Sequence, residues 1–496
     1  LVSLPHTWNA LDEQKGDGTY DRGSYWYVKM LDKWEPSAKY SRLFLEIPAA
    51  GQQAKVFVNG EFVVSHEGGY SAFRADITEK CTEEFNTIAI WCSNEKCDAI
   101  YPQSADFTFY GGLYRGAHLI CVPETHFELL HYGDLGIHAA TEPASWDKED
   151  FMLHIRTKIC GVEKDNQVIY QIFDEDGKEV ASAARPADSP DTSIPLYKPH
   201  RWDIKNSYQY TLKALIMRNN ECLDEVELKF GVRTFCCDPG RGFLINGNCV
   251  PLRGVSRHQD KLYQGNALTK EDHIRDAELI EEIGANTVRL AHYQHAQEFY
   301  NECDKRGFVV WAEIPFISVM NEDPLAHENC ITQLKELIYQ NDHHPSICFW
   351  GISNEILIGG ISEKLVENHR ELNALAKKID PYRLTTIAHV TMTPKDGPMH
   401  EITDVESYNH YFGWYGGKTE DNGPWMDEYH EKYPNRCIGL SEYGCEGIIT
   451  YQGENPKCKD YSEAYQAGYH EYMAHMLERR PWIFCSYVWN MFDFGC

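Results

Sequence analysis

Asn354 and Glu355 close the run "FWGISNE", residues 349–355, in which a mostly apolar, strand-like stretch ends on a carboxamide and a carboxylate. Burying such groups has a desolvation cost that packing does not return, so their place at a strand end calls for a chemical use. A second carboxylate, Glu442, ends a similar run, "CIGLSEY". Two facing carboxylates about 5 Å apart can divide the work of retaining glycoside hydrolysis: one attacks the anomeric carbon while the other protonates the departing oxygen. That division requires environments that keep one group protonated and the other ionised. A single glutamate at a strand end more often caps a helix or joins a salt bridge. The case for chemistry therefore rests on the company these two keep.

The elements that must position them are legible after residue 250. Eight short strand-like runs follow one another there: "PLRGVSR", "NTVRLAH", "FVVWAEI", "SICFWGIS", "LTTIAHV", "DVESYNH", "CIGLSEY" and "IFCSYVW". Helical patterns alternate with them. In "LTKEDHIRDAELIEEIG", Thr269 with Asp272 forms a capping-box pattern, Ile274, Ala277, Ile280 and Ile283 form a stripe, and Gly284 suits the C-cap. Eight βα units predict a (β/α)8 TIM barrel, whose active sites lie at the C-terminal strand ends. Those ends carry Arg257, His258 and Asp260, then Arg289 and His292, Glu313, Asn354 and Glu355, Tyr408 and Tyr411, Glu442 and Tyr443, and Trp489 and Asn490. Arg289 would favour an ionised nucleophile, and Trp489 and Tyr411 would offer an apolar platform to a sugar face. Taken singly, the histidines read as rim residues and the aromatics as core; their convergence on one rim favours function.

The preceding chain is β-rich. Residues 1–122 contain "SRLFLEI", "AKVFVNGEFVV" and "NTIAIWC", with Asn59-Gly60 as a hairpin turn, and predict an antiparallel β-sandwich. Residues 123–232, with "DFMLHIRTKI", "NQVIYQIFD" and "YQYTLKALIM", suit one immunoglobulin-like β-sandwich. The expected organisation is multidomain: two β-sandwiches, then the barrel over 233–496. A net charge of −28 excludes a nucleic-acid backbone as partner. No apolar run is long enough to span a bilayer, so no membrane partner is expected. The 17 cysteines show neither zinc-site spacing nor a disulfide framework, which fits a reducing cytoplasm. The abrupt opening "LVSLPHTWNA" and ending "WNMFDFGC" read as a chain cut at both ends, which leaves a secreted or periplasmic location open.

These residues resemble the family 2 glycoside hydrolases, β-galactosidases in particular. "VSLPHTWNA", "YDRGSYWY", "EGGYSAFRADIT" and "FYGGLYR" are similar to that family's N-terminal sugar-binding jelly roll; "LRGVSRHQD", "NTVRLAHY", "WGISNE" and "LSEYG" are similar to its barrel motifs, in order. The resemblance implies Glu355 as acid/base, Glu442 as nucleophile, and Asn354 on the sugar 2-hydroxyl. It places His258, Arg289 and His292 around the sugar or the nucleophile, Tyr411 beside the nucleophile, and Trp489 as a platform. Asp106, in "DFTFYGGLYR", matches a jelly-roll aspartate that reaches the barrel mouth. The large bacterial galactosidases bind magnesium through a Glu-x-His pair; here Ile317 and Val319 stand at those positions, so neither metal nor cofactor is expected. "WAEIPFI" resembles galactosidases more than glucuronidases, which makes a terminal β-galactoside the expected substrate and a β-glucuronide or other β-glycoside the alternative. An inactive carbohydrate-binding barrel is a remote third reading. The expected partner is a carbohydrate, with self-association into a homo-oligomer left open.

Overall fold

The computed structural model describes residues 1–16, 19–37, 39–82 and 84–496. The first sandwich follows from alternation. In Arg42–Ile47 and Gln53–Val58 every second side chain is apolar and buried (Leu43, Leu45 and Ile47; Ala54, Val56 and Val58), which gives each strand a core face, and Phe44 is buried on the other side against His126. A four-stranded antiparallel sheet, in the order Ser24–Leu31, Asn86–Ser93, Gln53–Val58, Glu61–Glu67, and a three-stranded one, Phe73–Asp76, Arg42–Ile47, His118–Val122, close on that core. Asn59 and Gly60 both take positive φ, 51° and 85°, the geometry a two-residue hairpin turn requires.

A second sandwich packs Thr192–Leu196, Phe151–Thr157 and Ile137–Pro143 against Glu179–Pro186, Gln167–Phe173, Tyr210–Arg218 and Glu221–Phe230. Its core includes Leu153, Ile155, Val168, Tyr170, Leu212 and Ile216, again every second residue of their strands.

Eight parallel strands then close into a barrel: β1 (Leu252–Arg257), β2 (Thr287–Leu290), β3 (Val309–Glu313), β4 (Ile347–Asn354), β5 (Leu384–Val390), β6 (Val405–Asn409), β7 (Ile438–Tyr443) and β8 (Cys485–Val488). Each coincides with one of the eight apolar runs. A small three-stranded sheet, Phe235–Asp238, Gly242–Ile245 and Asn248–Cys249, precedes the barrel, and its Phe243 and Ile245 share a core with Phe349 and Phe484. Six helices fill crossovers: α1 (Lys270–Glu282), α2 (Gln297–Arg306), α3 (Pro324–Asn341), α4 (Glu363–Ile379), α5 (Asn422–Lys432) and α6 (Glu463–Glu478). The β5–β6 crossover contains turns and no helix, and Pro394, Gly397 and Pro398 account for that.

α1 carries the expected capping box between Thr269 and Asp272, and Gly284 follows it at φ 78°. The expected stripe is corrected. Ala277 and Ile280 are buried, but Ile283 is 57% exposed, and His273 and Asp276 take inward places instead. Those two polar residues face the barrel because Arg257 meets them there: Nε and Nη2 donate to Asp276 Oδ2 at 3.0 and 2.6 Å, and Nη2 lies 3.1 Å from His273 Nδ1.

Candidate active site

The C-terminal rim of the barrel surrounds a cavity of about 620 Å³, and the jelly-roll segment Ser104–Asp106 forms part of its wall. Two anchors bring that segment to the barrel: Thr108 N–H donates to Gly495 O at 2.8 Å, and Tyr110 OH donates to Asp260 Oδ2 at 3.0 Å. Asp260, expected at the rim, is thus a domain tie. Asp106, His292, Asn354, Glu355, Tyr411, Glu442 and Trp489 all line the cavity.

The wall is organised around one buried cation. Arg289, at the end of β2, has no exposed surface and forks between three side-chain acceptors, Glu442 Oε1 at 2.6 Å, Asn354 Oδ1 at 2.8 Å and Glu313, which takes Nε at 3.1 Å and Nη2 at 3.0 Å, and it also donates to Ser441 O at 3.2 Å. Glu313, at the end of β3, also receives Trp311 Nε1–H at 2.7 Å and pairs with His292 Nδ1 at 2.7 Å. Burial pushes the Glu313 carboxyl up, but Arg289 and His292 outweigh it and hold it below its ordinary range. Two carboxylates around one guanidinium satisfy a charge that would otherwise be costly to bury.

The two candidate carboxylates occupy different surroundings. Glu442 meets two donors, Arg289 at Oε1 and Tyr411 OH at Oε2, 2.7 Å away. Both stabilise an anion. Glu355 has no cationic partner: Asn409 Nδ2 donates to its Oε1 at 3.0 Å. Burial, then the negative charge of Glu442, push its carboxyl up to about 7, against the lowering by Asn409. Glu442 thus meets a cation and a hydroxyl, while Glu355 holds its proton to higher pH, an asymmetry of the kind that an acid and a nucleophile require.

Local backbone geometry aims these groups. The β6–β7 register shifts so that Tyr408 pairs with Leu440 and Asn409 with Glu442, a bulge that turns both Ser441 and Glu442 to the barrel interior. Ser441 Oγ then donates to Asn409 Oδ1 at 2.7 Å, orienting the amide that reaches Glu355 and, at 3.1 Å, Asn354 Oδ1. Glu355 itself has φ 48° and ψ 24°, left-handed backbone that costs a non-glycine residue about 1–3 kcal/mol. Its N–H donates to Ala388 O at 2.8 Å, which ties the strained residue to β5.

Several expected rim residues lie elsewhere. Tyr408 is fully buried on the outer side of β6 against Trp425 and Tyr429, and Tyr443 packs in the same outer core. His258 does not line the cavity. It sits behind it, stacked on Phe494 at 4.5 Å and edge-on to Trp489 at 5.3 Å, with burial as the main cause of its lowered pKa. It therefore packs behind Trp489, which lines the cavity and stacks on His292 at 5.0 Å. Asn409 and Ser441 were missed; the period-2 alternation of β6 would have found Asn409, since its neighbour Tyr408 must face the opposite way. Ile317 is buried in the wall beside Tyr70, Phe107 and Tyr293.

The family model described as "Glycosyl hydrolases family 2, TIM barrel domain" matches residues 239–496, and the one described as "Glycosyl hydrolases family 2" matches 144–233. The chain belongs to glycosyl hydrolase family 2. Within that family, it is 36% identical over 517 residues to a β-glucuronidase of Bacteroides fragilis, covering all of this chain and 73% of that protein. It is 29% identical to a β-galactosidase of Thermoanaerobacter pseudethanolicus, covering 85% of this chain and 55% of that one. Among solved structures, an FMN-binding β-glucuronidase from Facaelibacterium prausnitzii L2-6 superposes with a TM-score of 0.98 at 55% identity, covering 100% of this chain and 77% of that one. A Bacteroides uniformis β-glucuronidase gives a TM-score of 0.93 at 32% identity, covering 99% and 61%.

Proposed function

We propose that this family 2 hydrolase is a retaining exo-β-glycosidase that removes a terminal β-D-glucuronic acid residue. The observation that carries the chemistry is the contrast between Glu442, held by Arg289 and Tyr411, and Glu355, whose carboxyl is raised to about 7. Glu442 attacks the anomeric carbon as the glycosidic bond breaks, and Glu355 gives its proton to the departing oxygen. A covalent glycosyl–Glu442 ester results. Glu355, now ionised, takes a proton from water, which attacks the anomeric carbon and releases the sugar with its configuration retained. In this reading Asn354, whose Oδ1 accepts from Arg289 and Asn409, holds the sugar 2-hydroxyl. The jelly-roll segment carrying Asp106 walls one side of the cavity, which favours removal of a terminal unit.

The sugar rests on likeness: the 36% and 55% identical relatives are named β-glucuronidases. The β-galactoside expected from "WAEIPFI" becomes the second reading, favoured by that motif and by the Thermoanaerobacter relative. The leaving-group side of Glu355 is apolar, with Val319 42%, Ile358 52% and Met392 76% exposed at the cavity mouth. Aryl aglycones therefore suit the site. Turnover of a panel of aryl β-glycosides tests this reading, with the anomeric configuration of the first-formed sugar followed by NMR. Preferential release from the β-glucuronide with retention is expected. Preference for the β-galactoside would select the second reading, and net inversion would overturn the mechanism.

A further inference from the structure

Among the described residues, the β5–β6 connection, residues 391–404, is the one crossover between consecutive barrel strands that has no helix. Elsewhere in this barrel, crossover helices bury apolar faces against the strands. Here three titratable side chains converge instead: His389 on β5, His400 in the crossover and Glu406 on β6, which are 2%, 7% and 3% exposed. Each offers one ligand atom, and the three atoms lie within 4.8 Å of one another.

The hydrogen bonding around them is unbalanced. His400 Nε2 lies 2.7 Å from Pro394 O, which can only accept, so Nε2 carries the hydrogen. His400 Nε2 also lies 3.3 Å from Tyr408 OH, and His400 Nδ1 faces Glu406 Oε2 at 2.5 Å, a contact that either a second ring hydrogen or a bound cation fills. His389 Nε2 is buried without any hydrogen-bond partner. Glu406 is oriented from behind, Tyr429 OH donating to Oε2 at 2.8 Å and Glu401 N–H to Oε1 at 2.7 Å. A histidine whose far nitrogen donates to a backbone carbonyl, beside an oriented carboxylate, is the outer-shell pattern of a metal ligand set.

We propose that His389, His400 and Glu406 form a structural site for a divalent transition-metal ion, zinc by the chemistry of its two imidazoles and one carboxylate, that ties the helix-free crossover to β5 and β6. An ion about 2.0–2.1 Å from each nitrogen requires the His400–Glu406 contact to open to roughly 3.3 Å, a side-chain adjustment within reach of a loop residue. The site stands apart from the two carboxylates. It bears on them through the same elements: β6 carries Asn409, whose amide donates to Glu355, and the crossover carries Thr391, whose hydroxyl donates to Asn409 O.

The test uses the intact chain, stripped with a chelator and gel-filtered into metal-free buffer. Zinc is titrated by calorimetry, bound metal is counted by elemental analysis after gel filtration, and cobalt(II) serves as a spectroscopic probe of the donor set. One zinc per chain, a rise in melting temperature on zinc addition, and imidazole-type cobalt bands are expected. His389→Gln removes a side-chain nitrogen that bonds to nothing else, so this variant keeps the fold and loses stoichiometric zinc. Glu406→Gln reports the same loss if it folds. A second cluster, His131, Asp134 and His138, is the internal control, and His138→Gln should retain the ion. Absence of stoichiometric zinc in the unaltered chain would overturn the proposal. So would zinc that persists in His389→Gln, or zinc lost in His138→Gln alone.

Discussion

Replacing Glu355 by glutamine should stabilise the protein at alkaline pH while crippling it as a catalyst. The carboxyl moves from an ordinary 4.5 to about 7 on folding, because the site is largely buried and Glu442 stands nearby. That difference corresponds to about 3 kcal/mol of preference for the protonated form in the folded state. The sign follows from proton binding. Between the two values the folded chain holds a proton that the unfolded chain has lost, so stability falls as pH rises from 4.5 through 7. Glutamine mimics the neutral acid and has no proton to lose. The variant should therefore match the parent near pH 4.5 and exceed it by up to about 3 kcal/mol at pH 8.

Urea denaturation midpoints at both pH values measure the difference, and a thermodynamic cycle with Glu442→Gln separates its causes. Burial is the larger contribution and Glu442 the next, so the gain should shrink in the Glu442→Gln background without vanishing. A Glu355→Gln variant that gains no more at pH 8 than at pH 5 would refute the assignment of a raised pKa. An undiminished gain without the Glu442 charge would refute the coupling between the pair. The kinetic counterpart is a kcat/KM that declines above pH 7 for substrates with poor leaving groups, as the acid loses its proton.

Glu442→Ala should abolish turnover of aryl β-glycosides while leaving far-ultraviolet circular dichroism unchanged, whereas Glu355→Gln should spare activated aryl glycosides far more than alkyl ones; equal losses on both substrates would argue against the acid assignment. Asn409→Ala removes the donor that favours ionised Glu355, so the alkaline limb of the pH profile should move to higher pH, and a shift the other way would contradict the geometry. Tyr411→Phe deletes a hydrogen bond to the nucleophile and should lower kcat about 10–100-fold with little change in KM, read from initial rates. Glu313→Gln weakens the hydrogen bonds to Arg289 but leaves that cation paired with Glu442, and should lower stability by about 1.5–3 kcal/mol in urea denaturation.

The barrel was legible because its strands are buried on both faces and read as near-continuous apolar runs. β4, "ICFWGISN", is buried at every position. The carboxylates were legible for the opposite reason: a charged residue closing such a run has no packing rationale. What the sequence hid was direction. Tyr408 and Asn409 are adjacent at one strand end, and the more conspicuous aromatic was chosen although only Asn409 faces inward. A bulge hid the reverse case, since it turns two consecutive residues, Ser441 and Glu442, to the same side, which strict alternation forbids. His258 was misplaced because a strand-end position does not say whether a side chain reaches the cavity or the layer behind it. On α1, the stripe Ile274, Ala277, Ile280 and Ile283 marks the core face only at Ala277 and Ile280, because Arg257 draws His273 and Asp276 inward, and no periodicity of apolar residues signals an ion pair.

The site cannot be assigned to the barrel alone. Arg289, Glu313, Asn354 and both candidate catalytic glutamates come from strand ends, yet the cavity wall is completed by Ser104–Asp106 from the jelly roll. Other first-domain residues, Arg115 and Tyr70, join that domain to the barrel at Gln294 and Tyr293. Arg115 donates to Gln294 O at 2.7 Å and to Tyr70 O at 2.6 Å, and Tyr70 stacks on Tyr293 at 4.1 Å. Tyr293 in turn hydrogen-bonds His258 Nδ1 at 3.1 Å, and His258 backs Trp489. One contiguous chain of contacts thus runs from the first domain to Trp489 at the cavity wall. The jelly roll supplies Tyr70 and Phe107 to this packing, while Phe494 and His292 hold His258 and Trp489 from within the barrel. The N-terminal sandwich is therefore structurally part of the candidate site, since it supplies one wall of the cavity and packs on the residues behind it.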